Sequence, residues 1–155
     1  MRTLLVFICV FGLKLQAQVP NQTIRTLYWL QGSWKNETDP SQVFVWSRLQ
    51  DGSLEGILRY QTAKMQERWL LIERNGQLTC LYTPPKSAVQ SSYSGRKRAS
   101  GIYFQAEPAR QPGIIALEKD GIRKMKLIFS DLKPGTDREV TRRFIKMESR
   151  RWEFN

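Results

Sequence analysis

The side chains of this chain that can move protons are carboxylates, tyrosines, lysines and arginines, because its 155 residues include no histidine. That absence excludes Ser-His-Asp and Cys-His nucleophiles and His-ligated zinc or haem. Two glutamates in predicted strands, Glu55 and Glu67, could act as an acid–base pair. Strand glutamates are more often exposed or ion-paired. We therefore expect no catalytic residue, no cofactor and no metal site, and a protein that is not an enzyme.

A candidate ligand pocket is predicted from aromatic and charged residues that fall on successive strands. Arg59 and Glu67 would give one cation and one anion to a largely aromatic interior, the usual lining of a small-molecule site. Alternatively, Arg59 and Glu67 pair inside the protein and the rings form plain core, since a buried ion pair needs good hydrogen bonds. The predicted pocket residues are Trp46, Arg59, Glu67, Trp69, Tyr82 and Phe104.

The chain is strongly basic, which favours anionic partners. Its formal net charge is +11, from 25 basic and 14 acidic residues. The most concentrated cluster, Arg96-Lys97-Arg98, lies in the Ser/Gly-rich segment 94–101, which we predict to be a loop tip. Such a tip could contact phosphates or simply be solvated. We expect no specific nucleic-acid partner, because the basic residues of 119–151 are interleaved with acidic ones.

The first residues have the pattern of a secretion signal. Arg2 is followed by an apolar run over 4–13, and Ala17 is a plausible last signal residue. The run is shorter than the roughly 20 residues that span a bilayer, so we expect cleavage and no membrane-spanning anchor. The prediction is a signal peptide at 1–17 and one domain at 18–155, secreted or periplasmic, with a net charge near +9 once the signal's two cations are lost.

Neither cysteine indicates chemistry. Cys9 follows Phe7 and Ile8, so the signal does not resemble a lipoprotein acylation site. Cleavage leaves Cys80 as the sole cysteine, and the apolar run 78–82 around it predicts a buried, inert thiol.

Along 18–155 the predicted elements are strands joined by tight turns. Three dipeptides that favour tight hairpin turns lie between apolar segments, namely Asp51-Gly52, Asn75-Gly76 and Asp120-Gly121. They favour such turns because asparagine, aspartate and glycine adopt positive φ with little strain. One short helix is predicted at 22–30. The predicted strands are 33–38, 42–49, 54–62, 67–74, 77–83, 87–94, 100–106, 113–119, 122–130 and 139–147. Sequential hairpins predict an all-β, antiparallel up-and-down barrel of about eight to ten strands, whose interior is filled or holds one small ligand.

The segment 27–34, with Gly32-x-Trp34 after a helical turn, resembles the opening of the calycin barrels, the group that contains lipocalins and fatty-acid-binding proteins. The resemblance implies that Trp34 plugs one end of a lipocalin-like barrel. It also implies an arginine from the last strand, Arg142 or Arg143, stacked on the indole.

A further set of scattered positions over 27–115 resembles an uncharacterised family of secreted bacterial lipocalin-like domains. These positions are Leu30, Gly32, Trp34, Trp46, Gly56, Arg59, Glu67 and the hairpin Asn75-Gly76. The chain departs from that family at Val45, where an acidic residue or histidine is typical, and it lacks the family's His-Asp-Phe-Pro motif before Pro112. The family lends no activity.

Two function classes follow. The first is a non-enzymatic barrel that binds a small apolar or amphipathic anion, which predicts an open lumen with Arg59 facing inward. The second is an envelope-associated interaction or structural protein that uses its basic outer surface, which predicts a filled core and salt-sensitive binding to anionic surfaces. An enzyme would require Glu55 or Glu67 in a cleft.

Overall fold

The computed structural model describes residues 22–106, 113–130 and 139–148. The predicted signal peptide and the segment preceding Pro112 lie outside these residues. The helical segment is divided into α1, Gln22–Arg25, and a 3-10 turn, Tyr28–Leu30. The strands are β1 Gly32–Asn36, β2 Gln42–Arg48, β3 Leu54–Tyr60, β4 Met65–Arg74, β5 Gln77–Thr83, β6 Ser91–Arg98, β7 Gly101–Ala106, β8 Ile114–Lys119, β9 Lys124–Ser130 and β10 Glu139–Lys146.

The ten strands form one closed barrel in which every strand pairs antiparallel with its neighbours in sequence, and β1 pairs with β10. The closing register places Trp34 opposite Lys146 and Asn36 opposite Phe144. Closure gives each of the ten described strands a paired neighbour on both sides, so the described sheet has no edge strand. The predicted all-β, up-and-down barrel with a short N-terminal helix is confirmed. Among the described residues, no helix is long and apolar enough to cross a membrane.

Each of the three turn dipeptides lies between two paired strands, as predicted, but only Asn75-Gly76 forms a two-residue turn, and the connections 49–53 and 120–123 are longer. Asn75 and Gly76 both have positive φ, 52° and 76°, as the tight turn between β4 and β5 requires. Gly52 and Gly121 also have positive φ, at 86° and 95°. Turn chemistry therefore fixed three of the hairpin positions from local sequence alone.

The predicted loop tip at 94–101 is wrong, because Ser91–Arg98 is strand β6 and only the two residues between β6 and β7 form the turn. The glycine that suggested a loop lies inside β6. A Cβ at Gly95 would meet the ring of Phe104 at 2.8 Å, so this glycine leaves room for a neighbouring side chain. The cations Arg96 and Arg98 are exposed.

Alternation along the strands separates an apolar interior from a polar exterior. In β4, for example, Glu67, Trp69, Leu71 and Glu73 are buried while residues between them are exposed or half-buried. Aromatic contacts cross the interior: the ring centroids of Trp69 and Phe129, on opposite sides of the barrel, are 5.8 Å apart. The interior is therefore crossed by side chains at the level of Trp69.

One end of the barrel, which we call the plug end, is covered by α1 and the 3-10 turn. The indole N–H of Trp34 donates to the carbonyl oxygen of Leu30 at 2.5 Å. The ammonium of Lys146 lies 5.2 Å from the Trp34 ring centroid and donates to the carbonyl of Trp29 at 3.2 Å. The backbone N–H groups of α1 are held by Glu73, a buried residue of β4.

A cation from the last strand therefore does cover Trp34, but it is Lys146, and the predicted Arg142 or Arg143 does not. The physical reason is register and alternation. Lys146 is the register partner of Trp34. Arg143 is exposed on the outer face, next to Lys126. Arg142 faces inward like Lys146, but about 14 Å further along the strand, since antiparallel strands rise about 3.4 Å per residue.

Candidate functional site

Five of the six predicted pocket residues are buried on the inner face of the barrel, and one is not. The buried five are Trp46, Glu67, Trp69, Tyr82 and Phe104. Arg59 is exposed on the outer face, where it pairs in register with Val43 and Gln66. The prediction of an inward-facing Arg59 is wrong. Because Leu58 and Tyr60 of the same strand point inward, alternation must direct Arg59 outward.

The cation that meets Glu67 inside the barrel is Arg142. Its Nη1 lies 2.9 Å from Oε1 of Glu67 and 2.8 Å from the hydroxyl of Tyr60. The hydroxyl of Tyr60 donates to Oε1 of Glu67, and the hydroxyl of Tyr82 donates to Oε2 at 3.2 Å. We call Tyr60, Glu67, Tyr82 and Arg142 the Glu67 cluster. The cluster contains an internal ion pair of the kind predicted for Arg59 and Glu67, but the arginine is Arg142.

The Glu67 cluster lies at the end of the barrel opposite the plug, which we call the cluster end. Tyr60 and Tyr82 stand near the ends of β3 and β5, Glu67 near the start of β4, and Arg142 comes across the barrel from β10. The side chain of Glu67 is only 1% exposed, whereas that of Arg142 is 26% exposed. The cluster therefore has a dry carboxylate inside and a partly hydrated cation towards the rim.

The guanidinium of Arg142 is held between aromatic faces. Its Cζ lies 5.2 Å from the ring centroid of Phe129 and 5.9 Å from that of Tyr60. These are cation–π distances, and they fix the plane of the guanidinium without using its N–H groups. Sequence reasoning considered Arg142 only as a cover for Trp34. The signal that could have found it is its spacing from the inward-facing Phe144.

The electrostatics of the Glu67 cluster keep its tyrosines protonated. Burial raises the pKa of Tyr60, and the hydrogen bond to Glu67 and its negative charge raise it further. Burial and the charge of Glu67 likewise raise the pKa of Tyr82. Burial alone would lower the pKa of Arg142, but the charge of Glu67 outweighs it, so the net shift is upward. The two tyrosine hydroxyls and the guanidinium therefore remain hydrogen-bond donors, and the carboxylate of Glu67 accepts from all three.

The proposed acid–base pair of Glu55 and Glu67 does not form. Glu55 is half-buried on the outer face, opposite Ser47 and Leu70, while Glu67 points inward. Within the part of the chain that the structure describes, no three His, Cys, Asp or Glu side chains lie together as a metal site would require. Cys80 is buried, and its burial raises the pKa of the thiol, as an inert core cysteine requires.

Next to the Glu67 cluster, two tryptophans present buried donors. Trp46 and Trp69 are 2% and 0% exposed, and neither indole N–H has a hydrogen-bond partner within the described residues. Both are register partners of Gly56, so they stand on one level of the barrel wall. Sequence reasoning placed both rings in the interior. It did not anticipate that their N–H groups lack acceptors.

A comparison with known protein families finds no match for this chain, and no curated protein matches it. Its class is therefore defined by architecture alone, as a closed ten-stranded antiparallel barrel compatible with a calycin-like fold.

Proposed function

We propose that this protein is a secreted, non-enzymatic barrel that binds a small amphipathic anion at the cluster end. The anionic group of the ligand meets Arg142, and its apolar body enters the lumen by displacing the rings of Trp69 and Phe129, which cross the interior. The observation that carries the proposal is the position of Arg142, a partly exposed cation inside the rim of a largely aromatic and apolar barrel, at the end opposite the plug. Small-molecule sites combine apolar walls with a few such polar groups.

The guanidinium has donors to spare for an anion. Glu67 and Tyr60 both accept from its Nη1, and no other side-chain nitrogen of Arg142 has a partner among the described residues. Because an arginine has five N–H groups in a planar fork, the remaining ones suit a carboxylate or phosphate. The net charge near +9 that remains once the signal's two cations are lost adds a general attraction for anions over cations. Ten strands also enclose a wider interior than eight.

Export and family membership belong to the same proposal. Cleavage of 1–17 after Ala17 would deliver the barrel to the periplasm or the medium, which fits a carrier of amphipathic molecules. The scattered matches over 27–115 support a relationship to the uncharacterised secreted lipocalin-like family. N-terminal sequencing of the protein recovered from its native compartment tests the cleavage, which a retained Met1 would refute.

Calorimetric titration with dodecanoate tests the binding site. We expect binding of dodecanoate and none of dodecyltrimethylammonium, which has a similar tail and the opposite charge. Arg142→Gln should weaken dodecanoate binding about 10- to 100-fold, since a charge-assisted hydrogen bond contributes about 1.5–3 kcal/mol. Arg143→Gln is the matched control, because this neighbour has the same charge but is exposed on the outer face. Equal effects of the two substitutions, or no binding of dodecanoate at all, would refute the proposal.

The second candidate function uses the outer surface. Four exposed cations lie on two strands of the outer face, namely Arg68 and Arg74 of β4 and Arg96 and Arg98 of β6. The rings of Trp69 and Phe129 meet across the interior and fill the barrel at that level. On this alternative, the protein binds vesicles that contain an anionic phospholipid. Binding should then fall steeply as salt rises, while dodecanoate gives no heat and Arg142→Gln no change.

A further inference from the structure

The interior of the barrel contains two hydrogen-bond donors that nothing in the described residues satisfies. The indole N–H groups of Trp46 and Trp69 are inaccessible to solvent and unpartnered. Nearly all buried polar groups in folded proteins find a partner, so two orphans in one interior call for an explanation. By contrast, the indole of Trp34 at the plug end is paired with a backbone carbonyl. Lack of an acceptor is therefore not general for the buried tryptophans here.

The two orphan donors belong to one arrangement in the wall. Gly56 lies between Trp46 and Trp69 in the strand register. The ring of Trp46 lies across this glycine, because a Cβ at position 56 would meet three of its ring carbons at 2.8 Å. The ring of Phe44 contacts both, with centroid distances of 4.8 Å to Trp46 and 5.9 Å to Trp69. Gly56, which pairs with both tryptophans and leaves room for the Trp46 ring, thus brings two indoles to one level of an apolar wall.

The chemistry of this level favours an oxygen that accepts without donating. A water molecule bound by an indole must place its own hydrogens on acceptors, and a stable buried water has two to four polar partners. The inward neighbours two positions along the strands include Phe44, Leu58 and Leu71, which offer none. On the same level, Tyr82 is the register partner of Trp69, and its hydroxyl is directed at Glu67. The nearest carboxylate, Glu67, already accepts from Tyr60, Tyr82 and Arg142. A ketone or ester carbonyl accepts two hydrogen bonds and donates none.

We infer that Trp46 and Trp69 form a second, deeper contact that takes an uncharged carbonyl oxygen in the apolar body of the ligand. This inference rests on the proposed function and narrows it. The ligand class becomes an amphipathic anion with a carbonyl group in its chain, such as an oxo acid or an ester. Arg142 would hold the anionic end at the rim, and the two indoles would select the carbonyl inside.

The test uses 2-decanone, an uncharged ketone that has no group for Arg142. In a two-dimensional 1H–15N correlation NMR spectrum of the whole protein, we expect 2-decanone to shift the indole N–H resonances of Trp46 and Trp69. The indole resonance of Trp34 should not shift. Trp46→Phe and Trp69→Phe, which keep an aromatic ring, should each weaken 2-decanone binding about fivefold, the usual value of one neutral hydrogen bond. Trp29→Phe, at the plug end, is the control and should leave the affinity unchanged.

Two outcomes would overturn the inference. The first is an unchanged set of indole resonances at saturating 2-decanone, a measurement that needs no variant and so does not depend on a variant's folding. The second is equal affinity for 2-decanone and decane in the wild-type protein, which would leave a buried water as the partner of the indoles. Failure of the proposed function looks different, because dodecanoate would then not bind while 2-decanone still moved both resonances.

Discussion

The two ends of the barrel each contain a buried glutamate from the same face of the same strand, and these two residues are used differently. Glu73 at the plug end accepts the backbone N–H groups of Thr23 and Ile24, at 3.3 and 2.8 Å. Glu67 at the cluster end accepts only from side chains, those of Tyr60, Tyr82 and Arg142. Both carboxylates are almost inaccessible to solvent, at 6% and 1% exposure.

The difference separates a structural end from an adaptable one. Backbone donors in α1 remain whatever side chains that segment has, so Glu73 anchors the chain there. Side-chain donors can turn away or exchange partners, and Arg142 is already partly hydrated. Binding that required movement would therefore cost less at the cluster end than at the plug end. We expect substitutions at the plug end to change stability and those at the cluster end to change binding as well.

The largest expected effect is at the plug end. Trp34→Ala should lower the free energy of unfolding by about 3–5 kcal/mol, because it removes a fully buried ring and leaves a cavity under α1. Urea denaturation followed by circular dichroism measures the change. Trp29→Ala, where the ring is only half-buried, is the comparison and should cost less. An equal loss for both would show that Trp34 is not the principal packing residue of the plug.

The next effect sharpens the contrast between the two glutamates. Glu67→Gln should cost about 2–3 kcal/mol, because it leaves Arg142 without its counter-charge, although partial hydration of Arg142 reduces the penalty. Glu73→Gln should cost about 1 kcal/mol, since the amide oxygen can still accept one backbone N–H.

Denaturant midpoints of the two variants, measured under the same conditions, decide the order. Only Glu67→Gln should also change dodecanoate binding, and it should strengthen it, because Arg142 would lose an internal competitor for the anion. A larger stability loss for Glu73→Gln, or altered dodecanoate binding in that variant alone, would reverse the roles given to the two ends.

The smallest effect appears at alkaline pH. The pKa values of Tyr60 and Tyr82 are raised in the folded protein, so above the unfolded value of about 10 the unfolded state loses these protons first. Their contribution to stability is fully present below about pH 10 and is lost as the pH rises further. Tyr60→Phe and Tyr82→Phe should each flatten this fall in denaturant midpoint. An unchanged fall in denaturant midpoint in both variants would contradict the assignment.

Local sequence was sufficient for most of the architecture. Alternation in segments such as 54–60 and positive-φ dipeptides such as Asn75-Gly76 predicted the strands and three of their turns. They did so because these preferences depend on a residue and its near neighbours in the chain. Strand boundaries failed at β6, where Gly95 suggested a loop. Its actual role, giving room to Phe104, depends on a contact between strands.

The sequence predicted which kinds of side chain form the candidate site, namely aromatic rings with one glutamate and one arginine. It identified only some of the residues correctly. Trp46, Glu67, Trp69, Tyr82 and Phe104 were placed inside correctly, because strand parity follows from the apolar pattern of each strand. Arg59 was assigned to the interior although it alternates with the inward-facing Leu58 and Tyr60 and must therefore face outward.

By itself, the sequence determined an all-β barrel and the inner face of most strands. A tryptophan near the N-terminus covered by a cation from the last strand was implied only by the resemblance to calycin barrels. The tertiary structure alone decided which cation goes where: Lys146 over Trp34, and Arg142 onto Glu67. The reason is that strand parity is a local property, whereas the pairing of β10 with β1 and the distance across the lumen are set only when the barrel closes.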